Sequence, residues 1–258
     1  MRGGADMLTD ERKNYIIARL LRDGRIVAKE TAIALGVSED TVRRDLRELA
    51  RNGSLLRVHG GALPVSSATA DFAARKAVAI EEKRRLATCG ASMISPGQIV
   101  FLDGGTTNVE LARQLPETLQ ATVVTHSPSI AVELAPHPRI DVELIGGSLL
   151  KHSVVSVGAR AAEAISRIRP DLFFLGVTGL RAETGATTGK FEDAAIKSLV
   201  ASLSGETIVL ATTEKIGATS PYVIVSLEDI ATIVASADAP KEFIEAIGKC
   251  GPDVIFAP

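Results

Sequence analysis

An arginine-rich segment between residues 36 and 51 carries side chains suited to contact with DNA. Its apolar residues Val42, Leu46 and Leu49 recur at helical spacing and form one stripe, with arginines on the opposite face. Ser38 precedes this stripe, where its hydroxyl can accept an unpaired backbone N–H of the first helical turn. Because an arginine fork pairs with guanine or with phosphate, the pattern predicts a short helix for the DNA major groove. The candidate contacts on this helix are Ser38, Thr41, Arg43, Arg44 and Arg47.

Two further candidates follow this segment. Arg57 and His59 fall in a short extended stretch, and we expect them to touch the DNA backbone or minor groove. Asp45 lies inside the arginine segment, but phosphates would repel it. We therefore expect Asp45 to face away from DNA and to pair with a neighbouring arginine.

A second group of residues suits the binding of a small anion. The loop Asp103-Gly104-Gly105-Thr106-Thr107 follows an apolar run and precedes a helical pattern. Glycines let the backbone approach an anion, and threonine hydroxyls with helix N-terminal N–H groups can hold a phosphate. The loop contains no lysine and no G-x-G-x-x-G spacing, so it is neither a Walker A loop nor a dinucleotide fingerprint.

Other glycine, hydroxyl and lysine positions follow later apolar runs. Any one of these loops alone is ordinary turn chemistry between a strand and a helix, but their combination favours an anionic ligand. His126 is either a hydrogen-bonded loop histidine or a ligand contact. The candidate ligand-binding residues are Asp103, Gly104, Gly105, Thr106, Thr107, His126, Gly146, Gly147, Lys190 and Lys215.

The elements that must position the arginine segment are two preceding helices and a following hairpin, over residues 9–63. Gly36 supplies the turn into the arginine helix, and Asn52-Gly53 ends it. Three helices with a small β-wing predict an α+β winged helix-turn-helix domain. The alternative is an unrelated three-helix domain with a solvated arginine face; the agreement of cap, turn, stripe and basic wing favours DNA binding.

Residues 64–80 are predicted to be a linker, and residues 81–258 a second domain. The segment from Pro64 to Ala70 is small, polar and aperiodic, which is typical of a hinge, and residues 71–80 could be partly helical. Beyond it, apolar runs alternate with helical patterns. Such alternation predicts an α/β domain with a mainly parallel sheet, whose ligands bind at the carboxyl ends of the strands. The predicted strands are 99–102, 122–125, 142–145, 172–177, 207–211 and 232–235; the predicted helices are 109–115, 130–135, 159–168, 191–203 and 241–247.

The charge distribution supports DNA binding by the first domain rather than by the second. The 258 residues carry a formal net charge of −2, which by itself argues against a nucleic-acid binder. Residues 1–64, however, hold 12 Lys and Arg against 9 Asp and Glu (+3), whereas the remainder holds 17 against 22 (−5). A basic head on an acidic body fits DNA binding by the head. The two cysteines have no metal-ligand spacing, and we expect free thiols, no cofactor, no metal and a cytoplasmic location.

Two separated groups of motifs resemble those of the DeoR-type bacterial transcriptional regulators. The first group is Val37-Ser38-x-x-Thr41-Val42-Arg43-Arg44-Asp45-Leu46-x-x-Leu49 with Arg57-Val58-His59-Gly60-Gly61-Ala62; the second is Leu102-Asp103-Gly104-Gly105-Thr106-Thr107, Gly146-Gly147 and Lys215. The resemblance runs from about Thr9 to Ala239. It implies a repressor of a carbohydrate operon whose second domain shares its fold with ribose-5-phosphate isomerase and senses a phosphorylated sugar.

Several positions depart from the family pattern. In the sensor domain, His126 stands where many members have asparagine, and Thr212 and Ser236 stand where many have aspartate. In the head, Thr31 replaces a more usual leucine. The three sensor positions leave room for an effector other than a standard phosphosugar.

The leading hypothesis is a DNA-binding transcriptional regulator, controlled by a small anionic effector and acting as a homo-oligomer whose paired heads read paired half-sites. The alternative is a sugar-phosphate isomerase-like enzyme with a DNA-binding head, in which Asp103, Glu192, Asp193 and Lys215 supply acid–base groups. A constitutive architectural DNA-binding protein is disfavoured by the acidic body.

Overall fold

The computed structural model describes residues 8–23, 25–64 and 71–258. The first of its two domains contains three helices and a three-stranded antiparallel sheet of order β1-β3-β2. This is the predicted winged helix-turn-helix. Its elements are α1 Thr9–Asp23, β1 Ile26–Val27, α2 Ala28–Leu35, α3 Glu39–Arg51, β2 Leu55–Val58 and β3 Gly61–Pro64.

Local sequence signals fix the turns of this head. Gly36 adopts φ +65° at the end of α2, a left-handed conformation that glycine accepts without a steric penalty. Gly61 allows β3 to approach β1, since a Cβ at this position would lie 1.8 Å from the backbone oxygen of Ile26. The predicted stripe of α3 is buried and packs against α1 and the wing, in a core that contains Ile16, Leu20, Val42, Leu46, Leu49, Leu55 and Ala62.

The predicted linker is only partly described. Of the predicted hinge from Pro64 to Ala70, residues 65–70 lie outside the described residues. The expectation of partial helix in residues 71–80 is confirmed by α4, Phe72–Lys76. Asp71 caps α4 by accepting the backbone N–H of Ala74 at 2.8 Å, and the Phe72 ring is buried in the core of the second domain.

The second domain is built on a seven-stranded parallel sheet of order β15-β14-β12-β9-β4-β5-β6. These strands are β4 Ile99–Leu102, β5 Ala121–Thr125, β6 Ile140–Leu144, β9 Leu172–Leu175, β12 Glu206–Ala211, β14 Thr232–Ser236 and β15 Asp253–Ala257. The helices are α5 Ile80–Ser92, α6 Thr106–Gln114, α7 Pro128–Leu134, α8 Ala159–Ile165, α9 Phe191–Leu203 and α10 Lys241–Gly248.

Alternate residues of the central strands enter two separate cores, one on each face of the sheet. Phe101 and Phe173 belong to the first core, whereas their neighbours Leu102 and Phe174 belong to the second. Burial on both faces explains the continuous apolar runs in the sequence. The predicted α/β architecture is therefore confirmed, and each of the six predicted strands is present with its ends shifted by up to two residues.

Four features were not predicted. β15 adds a seventh strand at one edge of the sheet. A hairpin of β7 Ser148–Leu150 and β8 Val155–Val157 follows β6. A small antiparallel sheet contains β10 Gly179–Arg181, β11 Gly185–Thr188 and β13 Tyr222–Val225. Two short 3-10 turns, at Thr213–Lys215 and Leu227–Asp229, follow strands β12 and β13.

Among the described helices, none combines the length and the apolar character that crossing a bilayer requires.

Candidate functional site

The start of helix α3 is organised as the sequence predicted. Ser38 Oγ accepts the backbone N–H of Thr41 at 3.1 Å and also lies 2.8 Å from the Thr41 hydroxyl. Capping by Ser38 satisfies one of the N–H groups that the first turn leaves unpaired. The cap and the buried stripe together hold the polar face of α3 toward solvent.

The arginines of this face differ in how they are held. Arg43 donates from Nη2 to Glu39 Oε1 at 2.7 Å, one helical turn back. Arg47 Nε donates to the Arg43 carbonyl at 3.3 Å. Arg44 is exposed, with no hydrogen bond or ion pair to any other described residue. On the wing, Arg57 and His59 are also exposed.

Asp45 is buried and faces α1. Arg12 Nε lies 2.5 Å from Asp45 Oδ2, and Arg12 Nη2 donates to Asp45 Oδ1 at 3.1 Å. The expectation that Asp45 pairs with an arginine is confirmed, but the partner is Arg12 of α1 rather than an arginine of the same helix. Beside this pair, Lys13 Nζ lies 2.7 Å from Glu48 Oε2. Two ion pairs thus connect α1 to α3.

In the second domain, a cavity opens where β4, β9 and β12 end. Its space, including the open mouth, is about 650 Å³, of which about 30 Å³ is accessible to the centre of a water molecule. The carboxyl edge of a parallel sheet is where this fold class binds ligands. Four cationic side chains line the cavity: Arg75, Lys83, Lys197 and Lys215.

The predicted Gly–Thr loop forms one wall of this cavity. Gly104, Gly105, Thr106 and Thr107 all line it. Gly105 has φ +133° and precedes α6 without a side-chain cap, so the N–H groups of the first turn are open to an anion.

Lys215 lies beside this helix terminus, where Nζ donates to Thr107 Oγ1 at 3.2 Å. Burial lowers the pKa of Lys215 to about 8, with nearby Lys83 lowering it further and Glu214 opposing the change. An uncapped helix terminus and a buried lysine are two independent groups that favour negative charge.

Beneath the cavity, Asp103 sits at the centre of a buried polar network. It accepts the backbone N–H groups of Gly104 and Gly176, each at 2.7 Å, and lies 2.7 Å from His126 Nε2 and 3.3 Å from Lys197 Nζ. Burial raises the pKa of Asp103, but the Lys197 ammonium and the His126 hydrogen bond outweigh it and leave the pKa below its ordinary value.

Lys197 connects this network to helix α9. Its ammonium lies 2.8 Å from Asp193 Oδ2, and Asp193 Oδ2 also accepts the Thr188 hydroxyl at 2.7 Å. Burial lowers the pKa of Lys197, yet Asp103 and Asp193 raise it above its ordinary value overall. The second carboxylate oxygen of Asp193 is buried without a hydrogen-bond partner among the described residues. Asp193 also lines the cavity.

His126 has a supporting position. It is fully buried, and its ring nitrogens face the Ser156 carbonyl at 2.9 Å and Asp103 Oδ1 at 2.7 Å. It does not line the cavity. Of the two alternatives for His126, the geometry is that of a hydrogen-bonded histidine that orients Asp103.

Three other predicted ligand residues lie away from the cavity. Gly146 and Gly147 precede β7, and a Cβ at Gly147 would lie 2.7 Å from the Val157 carbonyl, so this glycine serves hairpin packing. Lys190 is exposed at the start of α9. The departing residues Thr212 and Ser236 are buried outside the cavity lining.

Three cations of the cavity were missed in the sequence. Lys83 lies in the run Glu81-Glu82-Lys83-Arg84-Arg85, which is typical of a solvated helix start, yet Lys83 is buried. Asp193 and Lys197 are four residues apart on α9, a spacing that would have indicated one shared face. Arg75 lies in the predicted linker and carried no signal of its own.

Both domains match family models. A model described as a DeoR-like helix-turn-helix domain matches residues 12–68, and one described as the DeoR C terminal sensor domain matches residues 78–237. The protein is thus a two-domain, DNA-binding transcriptional regulator with a sensor domain.

Curated relatives match this chain over nearly their whole length. The HTH-type transcriptional regulator GlpR of Haloferax volcanii is 34% identical, over 96% of this chain and 98% of the relative. The HTH-type transcriptional repressor GlcR of Bacillus subtilis is 30% identical, over 96% of each chain. The chain belongs to the DeoR family of transcriptional regulators, as its motifs predicted.

Solved structures similar to this chain include ribose 5-phosphate isomerase A from Methanocaldococcus jannaschii. The match has 16% sequence identity and a TM-score of 0.39, and covers 52% of this chain and 53% of the isomerase.

Proposed function

We propose that this regulator is a repressor of a sugar-catabolism operon, and that a phosphorylated sugar bound in the cavity controls its affinity for operator DNA. The observation that carries the proposal is the convergence of four cations and an uncapped helix N-terminus on one cavity. Carboxylates oppose these cations: Asp193, Asp71 and Asp103 act on Arg75, and Glu214, Glu110 and Glu82 act on Lys83. A phosphate group would take hydrogen bonds from donors that those carboxylates do not use, at the α6 N-terminus and on Lys215.

The remainder of the cavity suits a sugar. The unpartnered oxygen of Asp193 would accept a hydrogen bond. Thr178 and Thr188 line the cavity; their hydroxyls contact Ser220 and Asp193, and the hydroxyl oxygens would accept from a sugar. A polyol attached to the phosphate would match these groups. Because His126, Thr212 and Ser236 lie outside the cavity lining, the departures from the family pattern are compatible with a phosphosugar ligand.

On the DNA side, Arg44 and Arg47 are the proposed base or phosphate contacts of α3, with Ser38 and Thr41 at the helix start. Arg43 would exchange its contact with Glu39 for a DNA contact, and Arg57 and His59 would hold the wing on the backbone. A homo-oligomer would align two heads with two half-sites. We assign these events to the cytoplasm, and we assign binding rather than turnover of the sugar phosphate to the cavity.

The effector part of the proposal is tested by thermal unfolding of the full chain with a panel of hexose and triose phosphates. A ligand at 100 times its dissociation constant stabilises the folded protein by about 2.7 kcal/mol. The matched control for each hit is the same sugar without its phosphate, which should not stabilise the protein. The Lys215→Gln variant should bind a hit at least ten-fold more weakly. Stabilisation by the sugar alone, or catalytic turnover of the hit, would contradict the proposal.

The DNA part is tested by isolating bound operator from a random DNA pool and comparing Arg44→Ala with Arg167→Ala. Arg167 is exposed on the sensor domain, just beyond α8, and within the described part of the chain its side chain pairs with the exposed Glu163, so its loss should be neutral. If Arg44 reads a base, Arg44→Ala weakens specific binding by roughly 1–3 kcal/mol and relaxes one base position. Equal weakening on selected and random DNA would identify a phosphate contact instead.

A further inference from the structure

The short helix α4 places one of the cavity's cations on the stretch of chain that leads from the wing to the sensor domain. Residues 65–70 join β3 of the wing to the cap residue Asp71, and Arg75 follows one turn later. The buried Phe72 ring holds α4 on the sensor domain. Arg75 therefore lines the cavity, although in the sequence it belongs to the segment that connects the two domains.

The Arg75 guanidinium lacks one hydrogen-bond acceptor. Its Nε is buried with no hydrogen-bond partner among the described residues. Burial lowers the pKa of Arg75, although Asp193, Asp71 and Asp103 act against it. The Arg75 carbonyl meanwhile accepts a hydrogen bond from Lys83 Nζ at 2.6 Å. Because Arg75 lines the cavity, an oxyanion bound there can accept a hydrogen bond from its guanidinium.

Two backbone outliers flank the same part of the cavity. Ala79, at the start of α5, has φ +50°, and Val154, in the turn between β7 and β8, has φ +54°. Their chain neighbours Val78, Ser153 and Val155 line the cavity. Both residues adopt the left-handed region, which is unfavourable for side chains with a Cβ and persists where the surroundings impose it.

Helix α4 is hydrogen-bonded to the second of these segments. The backbone N–H of Phe72 in α4 donates to the carbonyl of His152, in the turn before Val154, at 3.0 Å. The strained residues lie at the start of α5, three residues after the end of α4, and in the β7–β8 turn. Both segments border the cavity next to α4.

We infer that Arg75 is a direct ligand of the effector's anionic group and that α4 is the element through which cavity occupancy reaches the DNA-binding head. The inference rests on the proposed function, because it names how the same cavity regulates. In the occupied state the anion bridges Arg75 on the linker to Thr107 and Lys215 on the sensor domain. This bridge fixes α4, which follows the wing in the sequence.

The experiment measures two quantities on the full chain: affinity for the phosphorylated sugar found by thermal unfolding, and amide hydrogen exchange of residues 72–79. In the parent protein the sugar phosphate should slow exchange in this segment. Arg75→Gln should bind at least ten-fold more weakly and, at saturating ligand, show no slowing. Arg75→Lys retains the charge but loses the fork, and should give an intermediate result for both measurements.

Two further variants separate binding from transmission. Lys76→Gln is the matched control for loss of a cation on α4: Lys76 is adjacent, exposed and outside the cavity, and its ammonium, like the Arg75 guanidinium, contacts the Phe72 ring. This variant should bind the ligand as the parent does. Lys215→Gln should bind more weakly yet still slow exchange in 72–79 once saturated, since Arg75 remains. Parent-like affinity in Arg75→Gln, or full slowing in that variant at saturation, would overturn the inference while leaving the effector site intact. Failure of every phosphorylated sugar to bind the parent protein would instead refute the proposed function.

Discussion

The Arg12–Asp45 pair offers a direct test of how the recognition helix is held. Asp45 is 1% exposed and Arg12 7% exposed, and the two side chains make a bidentate contact between α1 and α3. The perturbation is Asp45→Asn, which removes the carboxylate charge and leaves the Arg12 guanidinium buried beside a neutral amide.

The magnitude follows from that burial. At a separation near 3 Å and an effective dielectric constant of about 20, the attraction between unit charges is about 5 kcal/mol, opposed by desolvation of both groups. Removing one partner of a buried pair costs about 3–5 kcal/mol, because the remaining charge is uncompensated. A small domain has a total stability of roughly 5–15 kcal/mol, so the head would lose a large part of its stability.

The assay is native-state hydrogen exchange of the full chain, which reports opening of the head separately from opening of the sensor domain. Amides of α1 and α3 should exchange faster by a factor that corresponds to about 3–5 kcal/mol, while amides of the parallel sheet keep their rates. Glu48→Gln is the matched control, since it removes an exposed ion pair between the same two helices and should change exchange very little.

The double variant Arg12→Met/Asp45→Leu completes the test. Replacing both charges with apolar side chains should restore much of the lost stability, because no unpaired charge remains. If Asp45→Asn changes exchange of the head no more than Glu48→Gln does, the pair does not hold α3, and the reasoning from its burial is wrong.

The remaining predictions concern pH, packing and the buried network. With a pKa of about 8, Lys215 loses its charge above pH 8, so the affinity for a phosphorylated ligand should fall by up to ten-fold per pH unit there, and titration calorimetry should show no such slope in Lys215→Gln. Without ligand, the free energy of unfolding of the parent protein, compared with that of Lys215→Gln, should rise between about pH 8 and the ordinary lysine pKa near 10.5. In this range Lys215 is protonated in the unfolded chain and deprotonated in the folded protein. Gly61→Ala should destabilise the head by about 1–3 kcal/mol or more, as its Cβ would meet the Ile26 carbonyl, with a lower melting temperature of the head and unchanged unfolding of the sensor domain. Asp103→Asn should destabilise the sensor domain by about 3–5 kcal/mol in urea unfolding, because Lys197 loses one of its two carboxylates, and a loss below 1 kcal/mol would show that Asp193 alone suffices.

The sequence predicted the parts of the fold in which local pattern and burial agree. Strands buried on both faces, such as Ile99–Leu102, appear as uninterrupted apolar runs, and the helix α9 was predicted with its bounds as observed. The hairpin β7–β8 and the strand β10 are short and contain turn-forming residues, so they have no periodicity to detect. Their pairing is decided by contacts distant in sequence.

The residues of the cavity likewise divide into those with a local sequence signal and those without one. The Gly104–Thr107 loop was predicted because glycines and hydroxyls before a helix have a local meaning. Lys83 and Lys197 were missed because a charged residue within a helix is normally solvated, and only the tertiary structure shows these two to be buried. For Lys190 the sequence is misleading in the opposite direction: its position before a helix favours a ligand contact, but the residue is exposed on the surface.

The strand order of the sheet has a consequence for the order in which the protein is made. The hydrophobic core of the head, as far as its residues are described, is formed within residues 8–64, so this unit can fold soon after it leaves the ribosome. The central strand β4, in contrast, pairs on one side with β5 and on the other with β9, about seventy residues later. Until β9 is synthesised, β4 presents an open apolar edge. Nascent chains should therefore carry a competent DNA-binding unit while the sensor is still unfinished and prone to aggregation, and the sensor should set the time and the chaperone requirement of maturation.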